Sequence, residues 1–348
     1  MSNETTRRSF EPSWMDKFLT WLGRLPAPRW FNFLLIPVTL FILAHAVLYL
    51  LEPGMAWTVQ NEVANVMFWF AFSLTTYAYL LSSSDRALEE FRPSLDIDDI
   101  EFIGLRLRFN TLARPWGFLF IPAIGLTFLF MRFRPAIDAP AEIAPVIRMI
   151  LIVLGSITFT FLAYLMVLVI QVLKHIKKLY DRISNINIYD LQDLYALSTL
   201  SARIGVFFVI AGTLSFVINI AIAGDQPQIE LAVFFISLNS LMAVIVFLLP
   251  LVGIHSKLAD AKRTAERENN RRLSAALKKL HERSDRSILE EMPLIESQVG
   301  ALMEFRREIE KISTWPWQPQ TLRGFITAIS LPIVVWLIQQ LLSRALGG

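Results

Sequence analysis

The 348 residues include no cysteine and only four histidines. Without cysteine there is no disulfide framework, no thiolate nucleophile and no thiolate-held metal. His45 falls inside an apolar run, while His175, His255 and His281 fall in charged stretches, so three histidines on one zinc are not expected. His175 and His255 both come near the same end of apolar runs, where a meeting of the two is one reading and separately satisfied histidines the better expectation. Charge is scarce as well, at 18% against about a quarter in soluble domains. The long apolar runs carry no Asp, Glu, Lys or Arg in their middles, and Arg148, Arg203 and Glu230 stand at their ends. Proton- or sodium-driven transporters usually keep an acid or a broken helix at mid-membrane, which weighs against that class. P-loop, dinucleotide, serine-elbow and HExxH patterns are also missing. DIDDIE (Asp96–Glu101) begins like a calcium loop, but Glu101 stands where an EF-hand needs glycine. No catalytic residue, cofactor or metal is expected. A net charge of +3 with interleaved acids gives no reason to expect nucleic acid.

The chain is rich in apolar sequence, 54% of its residues being hydrophobic. A bilayer crossing takes about 20 residues of helix, and seven runs qualify: 31–51, 63–82, 116–132, 146–172, 204–223, 231–254 and 323–345. They are continuously apolar, so an all-α polytopic membrane protein is expected rather than a β-barrel. Residues 1–30 are charged and aromatic before any long run, unlike a cleaved signal. Trp14, Phe18, Trp21 and Leu22 recur at helical spacing, as in a helix lying along the membrane surface. Of the 33 Lys and Arg, all but Arg132, Arg134, Arg148 and Arg344 fall on one side of this seven-span arrangement. The positive-inside rule then puts the N-terminus in the cytoplasm and the C-terminus outside, in a plasma (inner) membrane. The seventh run lacks lysine, which excludes a Schiff-base retinal site.

Helical patterns continue beyond several runs. QVLKHIKKLYDRIS follows the fourth and IYDLQDLYALSTLSARI precedes the fifth. From residue 231 to 284 one helix of roughly 80 Å is predicted. A further helix from Pro293 carries Ile295, Leu302 and Ile309 in heptad steps, continuing a series from Ile288. Residues 257–320 therefore read as a cytoplasmic helical anchor, packed side by side because each helix alone is marginal. FIGLRLRF (Phe102–Phe109) alternates apolar and basic, leaving strand and interfacial helix both open. Trp315 and Trp317 read as an aromatic belt, with Thr321 as the cap of the last run.

Polar but uncharged groups stand inside the runs: His45, Asn219, Asn239, and Gln339 with Gln340 in the last. A buried amide in lipid needs a partner, so helix–helix glue is one reading. A pore is the other, since an amide can replace part of an ion's hydration. Ile333, Val334, Trp336 and Leu337 come just before the glutamines, where a ring could gate by dewetting.

This organisation resembles the insect odorant and gustatory receptor superfamily, whose members are seven-transmembrane ligand-gated channels. In that family's last helix a Thr-Tyr pair often precedes five apolar residues and Gln-Phe. Here Ile333-Val334 stands in the place of Thr-Tyr, and Gln340 keeps the glutamine. The resemblance implies a homotetramer around the seventh helix, a cytoplasmic anchor from extended spans, and a small-molecule ligand held among the outer halves of spans one to six. A non-channel scaffold, acting through its cytoplasmic helices, is the alternative.

Overall fold

The computed structural model describes residues 12–51, 57–95, 97–112, 114–132, 142–183, 187–222, 229–285 and 292–346. Within them, some helical side chains lie outside the described set, among them Asn219, Trp336, Gln339 and Gln340. The described residues are helical nearly throughout and contain no strand. In chain order the helices are α1 (Trp14–Leu22), α2 (Arg29–Leu51), α3 (Trp57–Phe91), α4 (Asp99–Asn110), α5 (Phe120–Arg132), α6 (Ala144–Arg182), α7 (Gln192–Ile222), α8 (Ile229–Leu248), α9 (Val252–Asp285), α10 (Met292–Lys311) and α11 (Pro319–Leu346). Five are long and apolar enough to cross a membrane: α2, α3, α6, α7 and the α8–α9 run. Helix α5 has 13 residues, about 20 Å at 1.5 Å per residue, shorter than a hydrocarbon core of about 30 Å. Helix α11 has 28 residues, with part of its side chains outside the described set.

The core runs along α3, α6 and α7, where Phe70, Leu74, Tyr164, Leu168, Leu197 and Ile204 are buried together. Helices α7 and α8 close on each other through glycine. A Cβ on Gly212 would lie 2.8 Å from the Asn239 Cβ, so only glycine admits this approach.

Several helices outrun the apolar segment that starts them. Helix α3 continues to Phe91 because Arg106 of α4 binds Asp85 (2.7 Å) and Glu89 (3.3 Å) on its extension. The alternating segment around Phe102–Phe109 is helix α4, not a strand: the Asp98 carboxylate caps it by accepting from the Glu101 N–H (2.7 Å). The N-terminal Glu101 of α4 pairs with Arg182 and the helix's C-terminal carbonyls with Gln171, so α4 stands antiparallel along α6. The predicted continuous helix from 231 to 284 is broken once, by a 3-10 turn at Leu249–Leu251. Pro250 has no N–H to donate there and its ring crowds the preceding turn.

Helices α9 and α10 form a hairpin with its own small core of Leu273, Ala276, Ile295 and Val299. Two lysines fasten helix ends to the α9 shaft. The Lys257 ammonium donates to the carbonyls of Tyr180, Asp181 and Ile183 at the end of α6, and Lys262 donates to those of Glu310 and Ile312 at the end of α10. A cation at a helix C-terminus satisfies orphan carbonyls and meets the negative end of the dipole. Ile288, first in the predicted heptad series, lies outside the described residues.

Candidate functional site

Helix α11 leans on α7 along one side and is fastened most firmly at its first turns. Phe325 is buried against α7 and α8: a Cβ on Gly205 would meet its ring at 2.7 Å, and its centroid lies 4.3 Å from that of Phe247. The Thr321 hydroxyl lies 3.5 Å from that of Thr199; the residue sits inside the first turn of α11 rather than capping it, since the helix begins at Pro319. Beyond Phe325, Ile329 packs against the core and Pro332 is buried, while most of the other described apolar side chains point outward. Ile333 is 59% exposed, Val334 47% and Leu337 47%. Trp336, Gln339 and Gln340 belong to the same turns, and their side chains lie outside the described set.

The connection leading into α11 is an aromatic stack. His255 of α9 lies parallel to Trp315 (3.9 Å between centroids, 14°), and Trp315 to Trp317 (4.5 Å, 11°). Trp317 stacks on Phe247 of α8 at 5.4 Å, and Phe247 meets Phe325. The stack is fixed at its first member, since His255 Nδ1 lies 2.9 Å from the Thr314 carbonyl. The faces of the two tryptophans are therefore taken up by protein rings, which links the hairpin, the end of α8 and the base of α11.

The other polar residues singled out from the sequence do not converge on α11. His45 Nδ1 approaches the Phe41 carbonyl of its own helix at 3.1 Å, with the two rings 4.1 Å apart. The Asn239 amide donates to the Phe235 carbonyl (2.8 Å), one turn back on α8. Its bond is thus within the helix, and its contribution across to α7 is close packing on Gly212. Asn239 also lines a cavity of about 70 Å³ with Phe72, Thr76, Leu165 and Phe207. That is roughly two water volumes. Apart from Asn239 its lining belongs to α3, α6 and α7, at the half of the bundle nearer the basic end rather than the other half. His175 and His255 do not meet. His175 bonds to the Gln171 carbonyl (2.7 Å) and faces Phe109, while His255 keeps the partners already given. Among the described residues no group of three His, Asp or Glu is placed to hold a metal.

Sequence reasoning passed over Asp16. Helix α1 is amphipathic as expected and docks on the bundle, with Trp14 and Trp21 exposed and Met15, Leu19 and Leu22 buried. Asp16, only 1% exposed, goes in with them. Its carboxylate accepts from the Ser13 hydroxyl (2.8 Å), the Leu112 N–H (3.0 Å) and the Tyr77 hydroxyl (3.3 Å), and the Tyr164 hydroxyl lies 3.2 Å from Ser13. Burial pushes the Asp16 carboxyl above the usual carboxylate range, against these donors, which pull it down. The one sequence signal was an acid within the first turn of an amphipathic helix, directly after a serine cap.

Comparison with family models, with characterised proteins and with solved structures finds no match to this chain.

Proposed function

We propose that the protein is a homo-oligomeric, ligand-gated ion channel of the plasma membrane whose pore runs along α11. In this reading seven helices cross the bilayer, with α5 and α11 joining the five of full length and apolarity, the basic end in the cytoplasm and the C-terminus outside. The observation that carries it is the placement of α11. An apolar helix of this length, held by Phe325, Ile329 and Pro332 on one side and exposed on the other at Ile333, Val334 and Leu337, is poorly used as part of one protomer's core. In a tetramer the four copies meet at the axis. Ile333, Val334 and Leu337 then form an apolar constriction, and Gln340 or its neighbour Gln339 an amide ring toward the outer side. The aromatic stack supports the same reading, because it ties the cytoplasmic hairpin to the base of the helix that would have to move. The likeness to the insect receptor superfamily points the same way through topology and Gln340.

Conductance of the purified chain in planar bilayers tests the proposal, with Gln340→Leu as the variant. Cation or anion currents altered in size or selectivity by Gln340→Leu are expected. A silent bilayer containing verified, correctly folded protein would overturn the proposal.

A scaffold reading also has an observation behind it. Ile100, Ile103 and Leu107 form an exposed apolar stripe on α4, and Leu294, Met303 and Phe305 are exposed on α10. A scaffold needs these faces for another protein and leaves α11 in lipid, so removing the hairpin faces would abolish binding without touching conductance.

A further inference from the structure

One stripe of α6 changes character within a turn. Met166, Ile170, Lys174, Lys178 and Arg182 follow at four-residue steps and therefore share a face. Met166 (39% exposed) and Ile170 (51%) are apolar and outward-facing, whereas Lys174 and Lys178 are exposed cations. Such a boundary marks the depth at which hydrocarbon gives way to headgroups. Across from it stands the last turn of α4. The Gln171 amide donates to the carbonyls of Arg108 (2.6 Å) and Thr111 (2.8 Å), which fixes the backbone of Arg108 beside this stripe. His175, next to Lys174 on α6, holds its ring 5.7 Å from that of Phe109, the residue after Arg108. On the neighbouring elements, Asp85 and Glu89 are engaged by Arg106, and Glu101 by Arg182. Among the described residues no ion pair or side-chain hydrogen bond engages Arg108, Lys174 or Lys178.

We propose that Arg108, Lys174 and Lys178 hold the phosphate of an anionic phospholipid whose acyl chain lies along Ile170 and Met166. Uncommitted cations one turn apart on α6, with Arg108 on the adjoining end of α4, attract a phosphodiester anion, and Arg108 adds a planar fork of donors. The apolar side chains one turn away favour a lipid over free phosphate, which has no use for them. On α9 and α10, by contrast, Arg272 and Arg306 are paired with Glu268 and Glu310. The inference rests on the reading that this end of the bundle meets the inner leaflet, but not on conductance.

The test is lipid retention by the full chain in mild detergent, read by native mass spectrometry after adding equal phosphatidylglycerol and phosphatidylcholine. Wild type should keep phosphatidylglycerol preferentially. Each cation near an anionic lipid contributes roughly fivefold in affinity, so Arg108→Gln/Lys174→Gln/Lys178→Gln should lose the preference by at least about tenfold. Lys278→Gln/Lys279→Gln on α9 should keep it, and millimolar inorganic phosphate should not displace the lipid. Equal retention of both lipids overturns the proposal, as does a triple variant that still prefers phosphatidylglycerol or a control variant that loses as much. Displacement by phosphate overturns the lipid as the source. Because retention is read in detergent, none of these outcomes depends on orientation or on current, so this proposal and the channel can fail separately.

Discussion

Helices α6 and α11 are both long and largely apolar, yet the protein treats them differently. Helix α6 buries one face along nearly its whole length, from Ile147 through Leu154, Tyr164 and Leu168 to Tyr180. Helix α11 buries Phe325 at its base and Pro332 higher up, and its other described apolar side chains are half-buried or turned outward. Hydropathy cannot tell the two apart, because lipid and protein are equally good places for leucine. What separates them is partner geometry. Helix α6 meets α3, α5 and the α4 turn on different sides, while α11 leans on α7 and touches α8 only near its base. One helix is a pillar of the protomer, and the other has surface left for lipid or for another copy.

The largest effect is expected on the pillar. Tyr164→Ala removes a buried ring of α6 and a member of the Asp16 cluster, and should cost about 3 kcal/mol of unfolding stability, measured by denaturant unfolding in detergent. A loss under about 1 kcal/mol would mean that α6 is not packed as described.

Next comes the N-terminal clasp on the same helix. The docked Asp16 carboxyl binds its proton more tightly than a released one, whose pKa is about 3.9. Docking of α1 is therefore strongest below that value, weakens as pH rises through the raised docked pKa, and is level above it. Hydrogen exchange of α1 amides followed across pH should show protection falling as pH rises, and Asp16→Asn should flatten the curve. Protection that rises with pH would reverse the assignment.

Gly205→Ala addresses the base of α11. The new methyl group would press on Phe325 at 2.7 Å and on the Ala243 carbonyl at 2.9 Å, and overpacking of this kind costs about 1–3 kcal/mol. Proteolysis at the α10–α11 connection should speed up, while α6 stays as protected as before. Equal loosening of both helices would erase the contrast between them.

The smallest effect on the protomer should come from Leu337→Ala. The side chain touches little of its own chain, so stability should change by less than about 0.5 kcal/mol, while the oligomer read by light scattering shifts toward smaller species.

The long helices were legible in the sequence because continuous apolar runs of 20 or more residues have few other uses. Their ends were not. Helix α3 was expected to stop near 82 and runs to Phe91, since Asp85 and Glu89 look like a solvated exit until Arg106, 17 residues or more further on, pairs with them. The α4 pattern of Ile103, Leu105, Leu107 and Phe109 fits either period, and the cap at Asp98 decides for helix. Pro250 was visible, but a proline's effect depends on what the next turn can do. The Asp16 cluster was hidden for a different reason. Its donors come from residues far along the chain, Tyr77 being 61 positions away, and no local pattern marks them as neighbours. Trp315 and Trp317 were read by a rule true of many membrane proteins. Only the position of His255 and Phe247 shows that their faces are already taken.

Because the chain has no cysteine, a single introduced thiol reports on one position alone. Ile333→Cys, Val334→Cys and Leu337→Cys on α11 would be oxidised in the membrane beside Met149→Cys and Val153→Cys, exposed positions on α6. A disulfide forms only where two Cα atoms come within about 7 Å. If α11 lines a symmetry axis, its thiols form covalent dimers and those on α6 stay monomeric. Monomers at every α11 position, with or without cross-links on α6, would contradict the placement of α11 at the centre of an oligomer.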